Sequence, residues 1–141
     1  DRAYWTREEC EGNQQAEGAR KVIDALDKSG RVETVEGEHA VTPSLTTVPT
    51  PGHTPGQTSM MLASGGEHLL IVGDAAHHPV HFEHHDWLPG VDVDPAESTR
   101  SRGKLSALAV EKNARVTGGH LPILTLGRLR RVEGGYRWES A

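Results

Sequence analysis

The chain has 141 residues, with nine histidines, a single cysteine and a formal net charge of −5 at pH 7. This length suits one domain with a buried core, and the negative charge argues against nucleic acid or an anionic membrane as the main partner. No apolar run approaches the length of a membrane span, and Cys10 alone permits neither an intrachain disulfide nor a cysteine-rich zinc module.

The first third of the chain contains one predicted helix and several short strands. An irregular or short helical lead-in covers residues 1–12. A helix is predicted over 13–29, because its apolar residues share one face and Gly30 can end it. Short strands are predicted over 31–35 and 45–48, and a turn followed by a short strand over 37–42.

A β-hairpin is predicted next, with arms over residues 57–63 and 67–72 about Gly65-Gly66. The second arm ends in an uninterrupted apolar run, which predicts burial on both faces. It is followed at once by Gly73-Asp74. A carboxylate directly after a buried strand needs a partner, because an unpaired buried charge is costly.

A helix is predicted to begin after Asp94, which can act as N-cap, with Pro95 at the first helical position and Glu97 placed for a capping box. It is expected to extend towards Asn113. A strand over 114–117 and a final hairpin with arms over 123–132 and 136–138 complete the predicted elements.

The segment Thr50-Pro51-Gly52-His53-Thr54-Pro55-Gly56 places one histidine between two Pro-Gly pairs. Proline fixes φ and glycine permits positive φ, so the backbone is held in a defined bend. Such a bend can present an imidazole rigidly to a metal. An ordinary turn with an incidental histidine is the alternative.

Three segments share one design, in which a strand ends, a glycine follows and a metal-competent side chain comes next. They are Gly52-His53, Gly73-Asp74 and Gly119-His120. Ligating residues in α/β proteins collect on loops at one edge of the sheet. Two imidazoles and a carboxylate suit zinc and similar metals, so a preformed metal site is predicted from His53, Asp74 and His120.

These same segments resemble the second half of metallo-β-lactamase-fold hydrolases. The stretch 92–100 and the ending 120–138 are similar to the branch that contains methyl parathion hydrolase and lactonase-like enzymes. The resemblance implies an α/β fold, half of an αβ/βα sandwich with a mixed sheet flanked by helices.

The resemblance also implies a two-metal site. His53 would bind one metal, Asp74 would bridge both and serve as the catalytic residue, and His120 would bind the other. Two zinc ions are expected per intact site, with other first-row divalent metals as alternatives. A metal-bridging hydroxide would then attack a carbonyl or phosphoryl centre.

The family's first metal motif, His-x-His-x-Asp-His, does not occur in the sequence. Residues 1–141 are therefore expected to form the C-terminal part of a single domain whose N-terminal half precedes Asp1. The spacing of His81-x-x-His84-His85-Asp86 differs from that motif, and we interpret it as a polar loop near the site mouth. His77 and His78 are interpreted as neighbours of the site and not as ligands.

The leading hypothesis is part of a metal-dependent hydrolase that cleaves an ester-like bond of a small-molecule substrate, such as a lactone or a phosphotriester. A thioesterase of the glyoxalase II type and a non-catalytic metal-binding or interaction fragment remain alternatives. Neither nucleic acid nor a membrane is expected as a partner. An exposed apolar face is expected where the missing N-terminal half would pack, and a second copy of the chain is the other partner expected there.

Overall fold

The computed structural model describes residues 2–121 and 126–140. They belong to two compact units, Asp1–Glu36 and Gly37–Ala141. The α-helices are α1 (Arg2–Trp5), α2 (Gln14–Ser29), α3 (Val80–Glu83) and α4 (Pro95–Glu111). The strands are β1 (Ala40–Thr42), β2 (Leu45–Pro49), β3 (Thr58–Ser64), β4 (Glu67–Ile71), β5 (Arg115–Thr117), β6 (Gly127–Val132) and β7 (Gly135–Ser140). Among the described residues, no helix is both long and apolar enough to cross a membrane.

The first unit consists mainly of α2, as the sequence predicts. Asn13 caps this helix by accepting hydrogen bonds from the backbone N–H groups of Gln15 and Ala16, and Gly30 ends it with a φ of 62°. The strand predicted over 31–35 is wrong. A strand needs a neighbour for its backbone hydrogen bonds, and none of the described strands pairs with this segment.

The second unit is built on one sheet of seven strands in the order β1 to β7. Neighbouring strands are antiparallel except for β4 and β5, which are parallel and are connected through α3 and α4. The predicted hairpin of β3 and β4 is confirmed, with Met61 opposite Leu70. The expected mixed sheet with flanking helices is confirmed as well.

The core lies between α4 and one face of the sheet. Leu105 and Ala109 of α4 are fully buried, as are Leu70 and Val116 on neighbouring strands. Phe82 of α3 stacks on a ring of β7, with 5.7 Å between ring centroids. The remaining buried apolar residues of this core are Val48, Val72, Ala75, Ala76, Ala114, Leu121 and Leu129.

The predicted burial of β4 on both faces is wrong. Leu70 and the following Val72 are fully buried, but Leu69 and Ile71 on the opposite face are only partly buried. Side chains alternate along a strand, and α4 covers one face of the sheet. The apolar run therefore lines two surfaces, of which one is the core.

The predicted N-cap of α4 is confirmed by a 2.9 Å hydrogen bond from the Glu97 backbone N–H to Asp94 Oδ1. The predicted capping box is wrong, because the Asp94 N–H donates to the Gly52 carbonyl and the Glu97 carboxylate pairs with Arg100. The helix ends at Glu111, slightly earlier than predicted. Strand β6 pairs with β7 in the predicted final hairpin, whose first arm begins at Gly127. Residues 123–125 of that predicted arm lie outside the described residues.

Candidate metal centre

The direction of the strands brings the three glycine-flanked loops together. β2 and β4 are both antiparallel to β3, and β5 is parallel to β4, so all three run the same way. Their carboxyl ends therefore meet at one edge of the sheet. His53 follows β2, Asp74 follows β4 and His120 follows β5.

The Pro-Gly bend after β2 is fixed by its own backbone hydrogen bonds and by the start of α4. The N–H of Thr50 donates to the carbonyl of Gln57 at 3.0 Å, and the N–H of Gly52 donates to the carbonyl of Thr54 at 3.0 Å. The carbonyl of Gly52 accepts from Asp94 N–H at 2.9 Å. These bonds fix the backbone at Gly52, and with it the adjoining His53, against the start of α4.

The loop that bears Asp74 fits closely against its neighbours. Gly73 has a φ of +55°, and a Cβ there would lie 2.7 Å from Gln57 Nε2. A Cβ at Gly118, before His120, would lie 2.8 Å from Val72 Cγ2. The backbone at Gly73 and Gly118 is therefore packed too closely to admit a side chain, and the loops that follow β4 and β5 have little room to move.

The three predicted residues face one another. His120 Nε2 lies 3.2 Å from Asp74 Oδ1, and His53 Nε2 lies 3.9 Å from Asp74 Oδ2. Each carboxylate oxygen therefore faces a different imidazole. The side chains are 21% (His53), 47% (Asp74) and 53% (His120) exposed, so the group lies at an accessible edge of the protein. Their role as metal ligands stays a prediction.

His77 lies inside this group, whereas the sequence interpretation made it a neighbour of the site and not one of its ligands. Its ring centroid is 4.6 Å from that of His120 and 5.2 Å from that of His53. One ligand atom each from Asp74, His77 and His120 lies within 4.8 Å of the others. Burial, followed by the nearby charges of His120 and His53, lowers the pKa of His77.

The donor set fits a divalent metal. One carboxylate and several neutral imidazoles are the ligands that zinc and related ions bind in proteins. His77 Nδ1 is also buried and has no hydrogen-bond partner in the part of the chain that the structure describes. Such an orphaned nitrogen is expected where a ligand outside the chain completes the environment.

Two further residues, Asp92 and Arg102, lie behind His53. His53 Nδ1 is 3.2 Å from Asp92 Oδ1, and the other carboxylate oxygen pairs with Arg102. The stretch 92–100 contributed to the family resemblance, but no local pattern assigns Asp92 a partner. Arg102 lies within a helical segment and gives no signal in the sequence.

The remaining histidines of residues 78–85 do not join the group. His81 is buried in α3, where its Nδ1 accepts a hydrogen bond from His77 N–H. Burial lowers its pKa to about 4. His84 stacks on Trp87, and His85 Nε2 lies 2.9 Å from Ser106 Oγ. The segment 81–86, which the sequence predicts to be a polar loop, therefore begins within the short helix α3, where His81 is buried.

The folded state is expected to lose stability as the pH falls below about 6.5, because burial and the Arg102 charge lower the pKa of His85. Asp86 acts in the opposite direction, and the neutral ring also contacts Tyr136. Below about pH 6.5, His85 therefore binds a proton more readily in the unfolded chain than in the folded one, and this difference favours unfolding. Replacing His85 with glutamine should therefore flatten the decline in melting temperature between about pH 6.5 and pH 5.

Thermal unfolding followed by circular dichroism at several pH values measures this effect. His39→Gln is the matched control, because it removes an exposed histidine elsewhere in the chain. A decline in His85→Gln that equals the wild-type decline would contradict the prediction.

The sequence matches known proteins over most of its length. Residues 2–120 match the family model described as the metallo-beta-lactamase superfamily. The N-acyl homoserine lactonase AttM of Rhizobium radiobacter is 38% identical over 80 residues, which cover 56% of this chain and 30% of that protein. A protein of the same description from Azorhizobium caulinodans is 40% identical over 81 residues. The chain therefore matches less than a third of the length of these relatives.

Solved structures resemble the fold. AidC, described as a dizinc quorum-quenching lactonase, superposes with a TM-score of 0.79 at 25% identity, covering 94% of this chain and 46% of that one. The hydrolase AbOPH, described as lying in the beta lactamase superfamily, superposes with a TM-score of 0.78 at 22% identity, covering 96% of this chain and 50% of that one. The second likeness concerns the fold alone.

Proposed function

Since the chain belongs to the metallo-beta-lactamase superfamily, we propose that it supplies part of the metal site of a hydrolase that cleaves a lactone or a similar ester-like bond. One observation supports this most directly. The Asp74 carboxylate directs one oxygen towards His53 and the other towards His120. A carboxylate in that position can bridge two cations.

The residues of this chain would hold the metals and order the site. His53 and His120 would each offer Nε2 on opposite sides of Asp74, and His77 lies against both rings. When bound, zinc or another divalent ion lowers the pKa of a water molecule and polarises the substrate oxygen. Further ligands are expected from outside residues 1–141, as the lengths of the relatives support.

Lactones are the proposed substrates because AttM and AidC are described as lactonases. Phosphotriesters and thioesters are the alternative substrates, and a metal-binding fragment without catalysis is the non-enzymatic alternative. Assays of the intact protein against an acyl lactone, a phosphotriester and a glutathione thioester separate these proposals. Hydrolysis of the lactone alone supports the first, and no hydrolysis of any of the three supports the last.

The second face of the sheet is the proposed docking surface for the rest of the protein or for a second copy. Leu62 and Leu69 lie opposite each other on this face, and Leu62 is 37% exposed. With Leu126 they line a groove of about 180 Å³. Sedimentation of the 141-residue chain and of the intact protein, each with and without Leu62→Lys, distinguishes the two. If the unsubstituted protein is a dimer and Leu62→Lys makes it a monomer, the surface binds a second copy of the chain. If the protein is a monomer and Leu62→Lys destabilises it, the surface docks against another part of the same chain.

Replacing His53 or His120 with alanine is expected to weaken zinc binding by the intact protein at least about 10-fold, because each change removes one proposed ligand. Competition with a coloured chelator measures the affinity. His39→Ala removes an exposed histidine elsewhere and is the control. Unchanged affinity in both variants would refute the assignment of these ligands.

A further inference from the structure

Arg102 is buried completely, which is costly for a guanidinium unless all its donors are paired. Its Nε donates to the carbonyl of Ala75 at 2.8 Å. Its Nη1 donates to the carbonyls of His85 and Trp87, at 3.3 and 3.1 Å. Its Nη2 donates to Asp92 Oδ2 at 2.8 Å. This one side chain therefore ties the segment after Asp74 to the loop that precedes α4.

The Asp92 carboxylate lies between the Arg102 guanidinium and the His53 ring. Its side chain is 1% exposed, so both oxygens must be satisfied within the protein. Oδ2 accepts from Arg102, and Oδ1 lies 3.2 Å from His53 Nδ1. A carboxylate that accepts from Arg102 at one oxygen leaves the other oxygen as an acceptor for the imidazole N–H.

We propose that Arg102 is a positioning residue that acts through Asp92 to hold His53 in the tautomer protonated at Nδ1, so that the lone pair of Nε2 faces the metal position beside Asp74. A neutral imidazole has one donor and one acceptor nitrogen. Since Asp92 accepts at Nδ1, the acceptor must be Nε2, which lies on the Asp74 side. The inference rests on the proposed function in one respect, namely that the species bound by Nε2 is a metal ion.

The chemistry of this arrangement requires arginine and aspartate in particular. A carboxylate behind a ligating histidine fixes its ring and raises its basicity as a ligand. Arg102 must donate in three directions at once, to Ala75, to the loop at 85–87 and to Asp92. A planar guanidinium does this in a fixed geometry, whereas an ammonium does not.

The main test is Asp92→Asn, because this variant leaves the backbone contacts of Arg102 in place. The readout is the His53 tautomer in metal-free 141-residue protein, from long-range ¹H–¹⁵N correlation spectra at about pH 8, which is above the ordinary pKa of histidine. We expect Nδ1 to be protonated in the wild type. In Asp92→Asn we expect a mixture of tautomers, since the amide can either accept from Nδ1 or donate to it.

Zinc affinity is the second readout, and it is expected to fall about 10- to 100-fold in Asp92→Asn. Arg102→Lys keeps the charge and is expected to retain the tautomer only in part. Arg102→Met tests the same link, but Asp92→Asn and Arg102→Lys suffice if this variant does not fold. Arg100→Met is the matched control, because Arg100 lies on the same helix with an exposed ion pair to Glu97.

A wild-type tautomer and a wild-type zinc affinity in Asp92→Asn would overturn the inference. Its failure is distinguishable from failure of the proposed function. If His53→Ala weakens zinc binding while Asp92→Asn does not, the ligand assignment stands and the positioning role falls. If the tautomer becomes mixed in Asp92→Asn while zinc affinity does not depend on His53, the positioning role stands and the metal proposal falls.

Discussion

Replacing Asp74 with asparagine is expected to lower the turnover number of the intact protein at least about 100-fold, more than the 10- to 100-fold typical of residues behind a ligand. One oxygen of the carboxylate faces His120 and the other faces His53, which is the arrangement that a bridging ligand requires. An amide is neutral and offers a single acceptor oxygen, so it bridges two cations poorly. Steady-state kinetics with an acyl lactone, together with the metal content of the purified variant, measures the effect.

The fold is expected to tolerate this change, since the Asp74 side chain is 47% exposed and lies outside the apolar core. The metal-free variant should therefore melt within a few degrees of the metal-free wild type. Asp86→Asn is the matched control, because Asp86 is an exposed carboxylate on a nearby loop. Wild-type turnover in Asp74→Asn would remove the bridging role of this residue.

Replacing Gly52 with alanine is expected to destabilise the protein by about 2–6 kcal/mol, the sum of backbone strain and overpacking. Gly52 has a φ of +137°, and a Cβ there would lie 2.3 Å from the backbone nitrogen of Ser98 in α4. Backbone atoms cannot rotate away from such a contact. Either the start of α4 or the bend that holds His53 must move, so zinc affinity should fall as well.

Urea unfolding measures the loss of stability, with two glycine-to-alanine controls. Gly65 also has a positive φ, +58°, but a Cβ there would meet nothing within 4 Å, so Gly65→Ala should cost only about 1–2 kcal/mol of backbone strain. Gly135 has neither a positive φ nor a close neighbour, and its replacement should be nearly neutral. Equal stability of Gly52→Ala and Gly65→Ala would show that the contact with Ser98 is not tight.

Much of the fold is predictable from local sequence. The start of α4 follows from Asp94 and Pro95, whose capping and φ preferences act within one turn. The end of α2 follows from Gly30 in the same way. The strand predicted over 31–35 fails because pairing depends on a neighbour that the segment itself does not specify.

The burial of β4 shows the same limit. Its apolar run is compatible with one buried face or with two, and only the position of α4 decides between them. Leu70 faces that helix and is fully buried, whereas Leu69 lies on the other side and contributes to the groove at Leu62.

The three loops can be recognised from the sequence alone, because each is a local motif: a glycine that permits the turn and a side chain of a type that can bind a metal. The position of His77 among them, and of Asp92 and Arg102 behind His53, follows from the folded chain and not from any local motif. His53 and Asp92 are 39 residues apart in the chain, and their contact exists only because the bend after β2 packs on the start of α4. Contacts of that kind arise from the packing of whole elements, which a local pattern does not encode.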